Sequence, residues 1–290
     1  MDRLLNAVLA GISEGATYGL IALGIVLVYK ATRVLNFAQA EIGTLAIYIV
    51  WLQTENGVPV LIAVVGGLLF AMVLGAATEV VLRPLAGAPR LTVTVATLGI
   101  ATFIGASQIP MFGPDPHQLP NLIAGEAFVL GATPFPWGRL LAMFTTVGLG
   151  IGLYLFFKRT LFGLGVLAAA QDQTALRLMG LPFNQVSIFT WASGAVLTAL
   201  AGIILVPTIG AFTPFFITTS LFIPSLAAAL VGGLTSLPGA FVGGITIGII
   251  QNLGKFYAGD TIPGAEFVMV FAALTFVLLV RPRGLLGSEA

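Results

Sequence analysis

Nine long apolar runs fill most of this chain, and they leave little room for any home but a membrane. A span needs about 20 apolar residues, fewer if the helix is broken. By that measure the runs cover residues 7–29, 34–52, 58–82, 91–111, 139–157, 184–206, 220–235, 238–254 and 263–280. Only 8% of the 290 residues are charged, whereas a soluble domain carries about 25%. So few charges would not keep a globule of this size in water. An ordinary soluble enzyme, a disordered chain and a nucleic-acid binder are excluded. The 36 glycines suit helices that pack closely through small residues. The expected fold is all-α: a polytopic transmembrane helix bundle of about 8–10 spans, some short or discontinuous, in one domain over residues 1–290. The first run is too long for a cleavable signal and holds Glu14, so it is read as a span that stays. The runs at 220–235 and 238–254 are short and Gly-rich, with room to be half-helices. Sixteen residues would reach only about 24 Å across a core of about 30 Å.

Basic residues orient the spans. Lys30, Arg33, Arg83, Arg90, Lys158, Arg159, Arg177, Arg281 and Arg283 fall on one set of connections, and Arg3, Arg139 and Lys255 on the other. The first set is read as cytoplasmic, which places the N-terminus outside and the C-terminus inside. Two connections are long. The outer one, 112–138, is punctuated by Pro114, Pro116, Pro120, Pro134 and Pro136, and its centre, 121–130, is read as a short interfacial helix. The inner one, 158–183, is helical by composition and stops at Gly180 and Pro182, a C-cap glycine followed by a helix breaker.

Polar residues inside the runs are the candidates for function, because charge at membrane depth is costly and usually faces the bundle interior or a wet cavity. Glu14 shares a face with Gly11, Gly15 and Tyr18; Glu41 shares one with Thr44 and Tyr48. Asn36, Gln39 and Gly43 are read as one polar face of the second span, with Glu41 nearby. Uncharged amides there line a path or knit helices together, the latter being the commoner role. Glu79 lies four residues before Arg83, which an ion pair explains. Gly11-Ile-Ser-Glu-Gly15 matches a serine-hydrolase pattern only in letters, since that motif needs a strand-to-helix turn and a His base. With no Cys and only His117, no metal or thiol site is expected. There is no phosphate-binding loop motif, so no cofactor is expected, and any ATP must be bound by partner subunits.

Four stretches carry a resemblance over nearly the whole chain. They are Leu35-Asn-Phe-Ala-Gln-Ala-Glu-Ile-Gly43, the inner loop 163–180, Leu230-Val-Gly-Gly-Leu-Thr-Ser-Leu-Pro-Gly-Ala-Phe-Val-Gly-Gly244, and Arg281-Pro-Arg-Gly-Leu-Leu-Gly287. In these the chain resembles the permease subunits of branched-chain amino acid ABC importers, the Liv type and its H-subunit branch. Gln39 and Ala40 depart from the family's His-Gly pair, and Leu164 and Leu167 stand where members often carry Arg.

The resemblance implies an inner-membrane permease without enzymatic activity of its own. It would translocate branched-chain or other small amino acids by alternating access, driven by two cytoplasmic ATPase subunits. A second homologous permease subunit and a periplasmic substrate-binding protein complete the implied partner set. The polar positions in the spans mark Asn36, Gln39, Glu41 and Glu14 for the substrate path; the inner loop marks Leu164, Asp172, Ala175, Arg177 and Gly180 for ATPase coupling; Gly232, Gly233, Gly239, Gly243 and Gly244 serve helix packing. Two other readings stay open: the permease of a urea or short-amide importer, and an ATP-independent channel or ion-coupled carrier.

Overall fold

The computed structural model describes residues 2–121, 125–130, 133–171, 182–259 and 261–287. Its helices are α1 (Asp2–Thr32), α2 (Ala38–Glu55), α3 (Val60–Leu82), α4 (Arg90–Phe112), α5 (Trp137–Arg159), α6 (Leu161–Gln171), α7 (Phe183–Ile209), α8 (Ile223–Gly232), α9 (Leu237–Ala258) and α10 (Ala265–Val280). Six of them (α1, α3, α4, α5, α7 and α9) are long and apolar enough to cross a membrane. Two strands, β1 (Glu126–Leu130) and β2 (Thr133–Pro136), form an antiparallel hairpin.

All nine apolar runs are helical, with three differences. α9 has 22 residues and is a full-length span, not a half-helix. The last run, read as a full span, is a helix of only 16 residues, because Gly264 enters the left-handed region at φ 77° and starts α10 late. Of the interfacial helix expected at 121–130, the stretch Glu126–Leu130 is instead one strand of the hairpin. Phe128 and Val129 favour extended backbone, and Pro134 and Pro136 cannot donate to a helix ladder.

α1 is the central element. Leu20 through Val28 on it are almost wholly buried, apart from Gly24 all apolar. It packs most extensively on α9, then on α7. The α1–α9 contact is glycine on glycine. A Cβ on Gly15 would stand 2.7 Å from the Gly244 carbonyl oxygen, and one on Gly248 would collide with the Gly11 oxygen. Near Gly244 and Gly248 the two backbones approach as closely as they do because neither side carries a side chain there. By contrast α3, α4 and α5 turn large apolar side chains outward, among them Leu61, Phe103 and Phe144. In water such a surface would aggregate, and in lipid it is the solvated face.

The two most distinctive sequence motifs meet in space. After α10 the chain folds back so that the Leu285 N–H donates to Val231 O (2.7 Å) and the Leu286 N–H to Gly232 O (3.1 Å). These amides cap carbonyls that the C-terminal end of α8 would otherwise leave unpaired. Gly233 and Gly284, both at positive φ (103° and 80°), let the strands of this knot touch backbone to backbone. Gly232 and Gly239 approach one another in the same way, and Gly243 meets the Ala228 carbonyl.

Candidate functional site

The site is built where helical regularity fails. α7 ends at Gly210 (φ 102°), and the backbone runs non-helically through residues 210–215 before turning back. Phe215 holds φ 62°, a conformation that costs a non-glycine residue about 1–2 kcal/mol. Its ring fills the space where a side chain at Gly105 would sit. The returning helix contains a wide π-type turn, Thr218–Phe222, before α8 begins. Broken backbone at membrane depth survives only when it is buried in protein or lines a cavity, because lipid offers its polar groups nothing.

Here the freed groups are met by side chains. The Ile217 N–H donates to Thr44 Oγ1 (3.1 Å) on α2, and the Phe215 N–H donates to Gln108 Oε1 (3.3 Å) on α4. The other end of the same amide, Gln108 Nε2, donates to Glu41 Oε2 (2.9 Å). Glu41 is 1% exposed and Gln108 not at all. Glu41 Oε1 and Thr218 Oγ1 make no bond of full geometry, but the Thr218 hydroxyl lies beside the carboxyl group and is placed to donate to it. A buried carboxyl group is thus held between α2, α4 and the broken segment, firmly by Gln108 and loosely by Thr218.

The other expected path residues are dispersed. Asn36 is not on a helical face with Gln39, because α2 begins only at Ala38. α1 closes at Thr32: the Arg33 N–H returns to Tyr29 O (2.7 Å) with φ 58°, a left-handed C-terminal cap. Asn36 therefore sits in the connection, buried, with both side-chain polar atoms unpartnered. Gln39 lies on α2 away from Glu41. Its Nε2 donates to Thr198 Oγ1 (3.2 Å) on α7, and its Oε1 is unpartnered. Gly43 faces the same way, against Thr198 and Ile217. Glu14 belongs to a separate place, the α1–α9 contact, where it accepts a bond from Asn252 Nδ2 (2.9 Å). Gln251 and Tyr18 adjoin it.

Leu164 is exposed on α6, whose Gly163 lies tight against Phe156 and Phe157 of α5. Asp172, Ala175, Arg177 and Gly180 lie outside the described residues. An apolar groove of about 440 Å³ between α5 and α9, lined by Val147, Ile151, Tyr154, Leu237 and Phe241 among others, offers too few converging polar groups to fix a polar solute. Among the described residues no group of three His, Asp or Glu side chains could hold a metal ion.

Sequence reading missed Gln108, Thr198, Thr218 and Asn252. Gln108 was findable by the criterion that found Glu41, being the one amide side chain in a 23-residue apolar helix. Its pairing was not findable, for 67 residues separate it from Glu41.

The profile of a known family, described as branched-chain amino acid transport system / permease component, matches residues 7–280. The chain belongs to that family. Among relatives, the high-affinity branched-chain amino acid transport system permease protein BraD of Pseudomonas aeruginosa is 29% identical over 99% of this chain and 95% of its own length. LivH of Escherichia coli K12, described in the same words, is 28% identical over 96% of this chain and 93% of its own. A probable branched-chain amino acid transport permease LivH of Methanocaldococcus jannaschii is 28% identical, covering 93% of this chain and 88% of that one. With its spans, this makes the chain a multi-pass membrane permease subunit of an ABC importer.

Proposed function

We propose that this permease carries branched-chain or similarly small amino acids inward through the inner membrane, along a route that passes the Glu41 cluster. The observation that carries the route is the half-satisfied carboxylate facing a broken helix. An amino acid brings an ammonium group, and Glu41 Oε1 with the Thr218 hydroxyl offers it acceptors beside the broken segment. Gln39, Asn36 and Glu14 sit apart from the cluster and would line other stretches of the route.

Energy comes from outside the chain. Two ATPase subunits would dock on the inner connection 158–183, with Leu164, Asp172, Ala175, Arg177 and Gly180 at the contact. A second, homologous permease subunit and a periplasmic binding protein complete the assembly. The nine-to-three division of basic residues supports an N-terminus outside and a C-terminus inside. No cofactor is held by this chain, and it performs no chemistry of its own. The permease of a urea or short-amide importer is the second reading, supported by the uncharged amides Asn36 and Gln39.

The test is reconstitution of the full importer in liposomes with the binding protein and ATP inside. Leucine uptake that requires ATP and falls at least tenfold in Glu41→Gln at equal incorporation is expected. Uptake by the permease subunits without ATPases would refute the ATP-driven reading. Urea in place of leucine as the transported solute would move the assignment to the second reading.

A further inference from the structure

Beyond the Glu41 cluster lies a second layer that no transport role has yet claimed. Five rings converge there. Tyr48 stacks on Phe112 (centroids 4.3 Å apart, planes within 10°) and meets Phe212 edge-on at 4.8 Å. His117 lies 4.1 Å from Trp51 and 5.7 Å from Tyr48. The layer is stitched by backbone as well: the His117 N–H donates to Phe212 O and the Phe212 N–H to His117 O, each at 2.9 Å.

The same three elements build both layers, in the same order. On α2, Tyr48 follows Glu41 by seven residues and Trp51 follows Thr44 by seven, two turns or about 10 Å along the axis. On α4, Phe112 follows Gln108 by one turn. On the broken segment, Phe212 precedes Phe215 by three residues. Every wall of the polar cluster therefore continues into a ring, on the side of the Pro-rich connection that carries His117. Two further features mark the layer as closed and not merely packed. Tyr48 is fully buried, yet its hydroxyl has no partner. And among the described residues the connection is bonded to the broken segment through one isolated pair of backbone bonds.

We propose that Tyr48, Trp51, Phe112, His117 and Phe212 form the outer gate of the transport route, shut in this structure over the Glu41 cluster. Opening parts Phe212 and His117, and it gives the buried Tyr48 hydroxyl access to water. Because Phe212, Phe215 and Ile217 lie on one short segment, moving the gate also moves the backbone amides bound to Gln108 and Thr44. Gate and solute site are mechanically one piece. The inference rests on the import reading for its direction, outer against inner.

The natural chain has no Cys, so a single introduced thiol reports cleanly. Thr44→Cys, one layer beneath the rings, is placed in the assembled importer in right-side-out membrane vesicles. A membrane-impermeant maleimide is applied outside. Slow labelling is expected, rising about tenfold or more when Phe212→Ala is added, since each lost ring contact shifts the closed–open balance. Trp51→Ala at the rim gives the same rise with less disturbance of the core, and Trp51→Phe restores protection. Leu161→Cys, exposed on α6, stays unlabelled from outside throughout. Labelling of Thr44→Cys that is equally slow, or equally fast, with and without both ring variants overturns the gate. Labelling of Leu161→Cys from outside overturns its direction. Ring-dependent protection in a preparation without ATP-driven uptake keeps the gate and rejects the import reading.

Discussion

Gln108→Leu removes one side chain and strands two buried partners. Leu nearly matches Gln in volume, so the cavity contribution is small and the polar loss dominates. The Glu41 carboxylate, already without a partner on Oε1, loses the donor on Oε2, and the Phe215 N–H loses its acceptor. Hydrogen bonds between membrane helices average only about 0.6 kcal/mol, with a maximum near 1.7. That average is low because stranded partners find replacements in the unfolded chain. Orphaning a buried polar group costs about 1–3 kcal/mol, and this substitution orphans two. With Glu41 1% exposed and Gln108 fully enclosed, the larger figures apply, and the single substitution is expected to cost about 3 kcal/mol. The decisive quantity is the coupling. Glu41→Leu with Gln108→Leu removes both ends of the bond and leaves only the Phe215 amide stranded. A double-mutant cycle should therefore return a coupling of about 1.5–3 kcal/mol between the two positions. The assay is reversible unfolding in mixed micelles of SDS and mild detergent, read by the fluorescence of the three tryptophans. A coupling below about 0.5 kcal/mol would refute the reasoning, since Glu41 would then not depend on Gln108.

Three other outcomes follow from the packing and the tail. Gly15→Leu forces a side chain into the Gly244 carbonyl, and its cost of at least about 3 kcal/mol should show as loss of monodisperse protein in detergent gel filtration. Gly284→Ala places a Cβ 2.6 Å from Gly233 N at a positive φ, so thermal unfolding should register a loss of about 2 kcal/mol or more. Glu79→Gln, by contrast, removes only the charge from an i, i+4 pair (2.7 Å) in which Glu79 is buried and Arg83 is 36% exposed; the Gln oxygen still accepts from Arg83, so stability should change by no more than about 1 kcal/mol and uptake by no more than measurement error.

The spans were legible because a run of about 20 apolar residues has one physical use. Glu41 was legible for the converse reason, as a charge where charge is costly. What failed did so where the backbone departs from regularity. Asn36 was placed on a helix that has not yet begun, since nothing in the letters Arg33-Val-Leu-Asn announces that Arg33 will turn left-handed. The π-type turn at Thr218–Phe222 and the strained Phe215 carry no local signature either. They exist because Gln108 and Thr44, far away in sequence, accept the amides that a regular helix would have used internally. A broken helix is a tertiary event, and single-sequence periodicity sees only what is local.

The knot between α8 and the chain beyond α10 bears on how the protein is made. A helix that enters the bilayer with its carbonyl end uncapped is poorly satisfied there. α8 is synthesised before α9 and α10, yet its capping amides belong to Leu285 and Leu286. Until those residues leave the ribosome, the carbonyls of Val231 and Gly232 lack these partners, although Thr44, Gln108 and His117, made earlier, already hold the broken segment ahead of α8. Insertion of this region is thus completed from the far side of the sequence, and a nascent chain stopped before Leu285 would present quality control with an unfinished membrane helix.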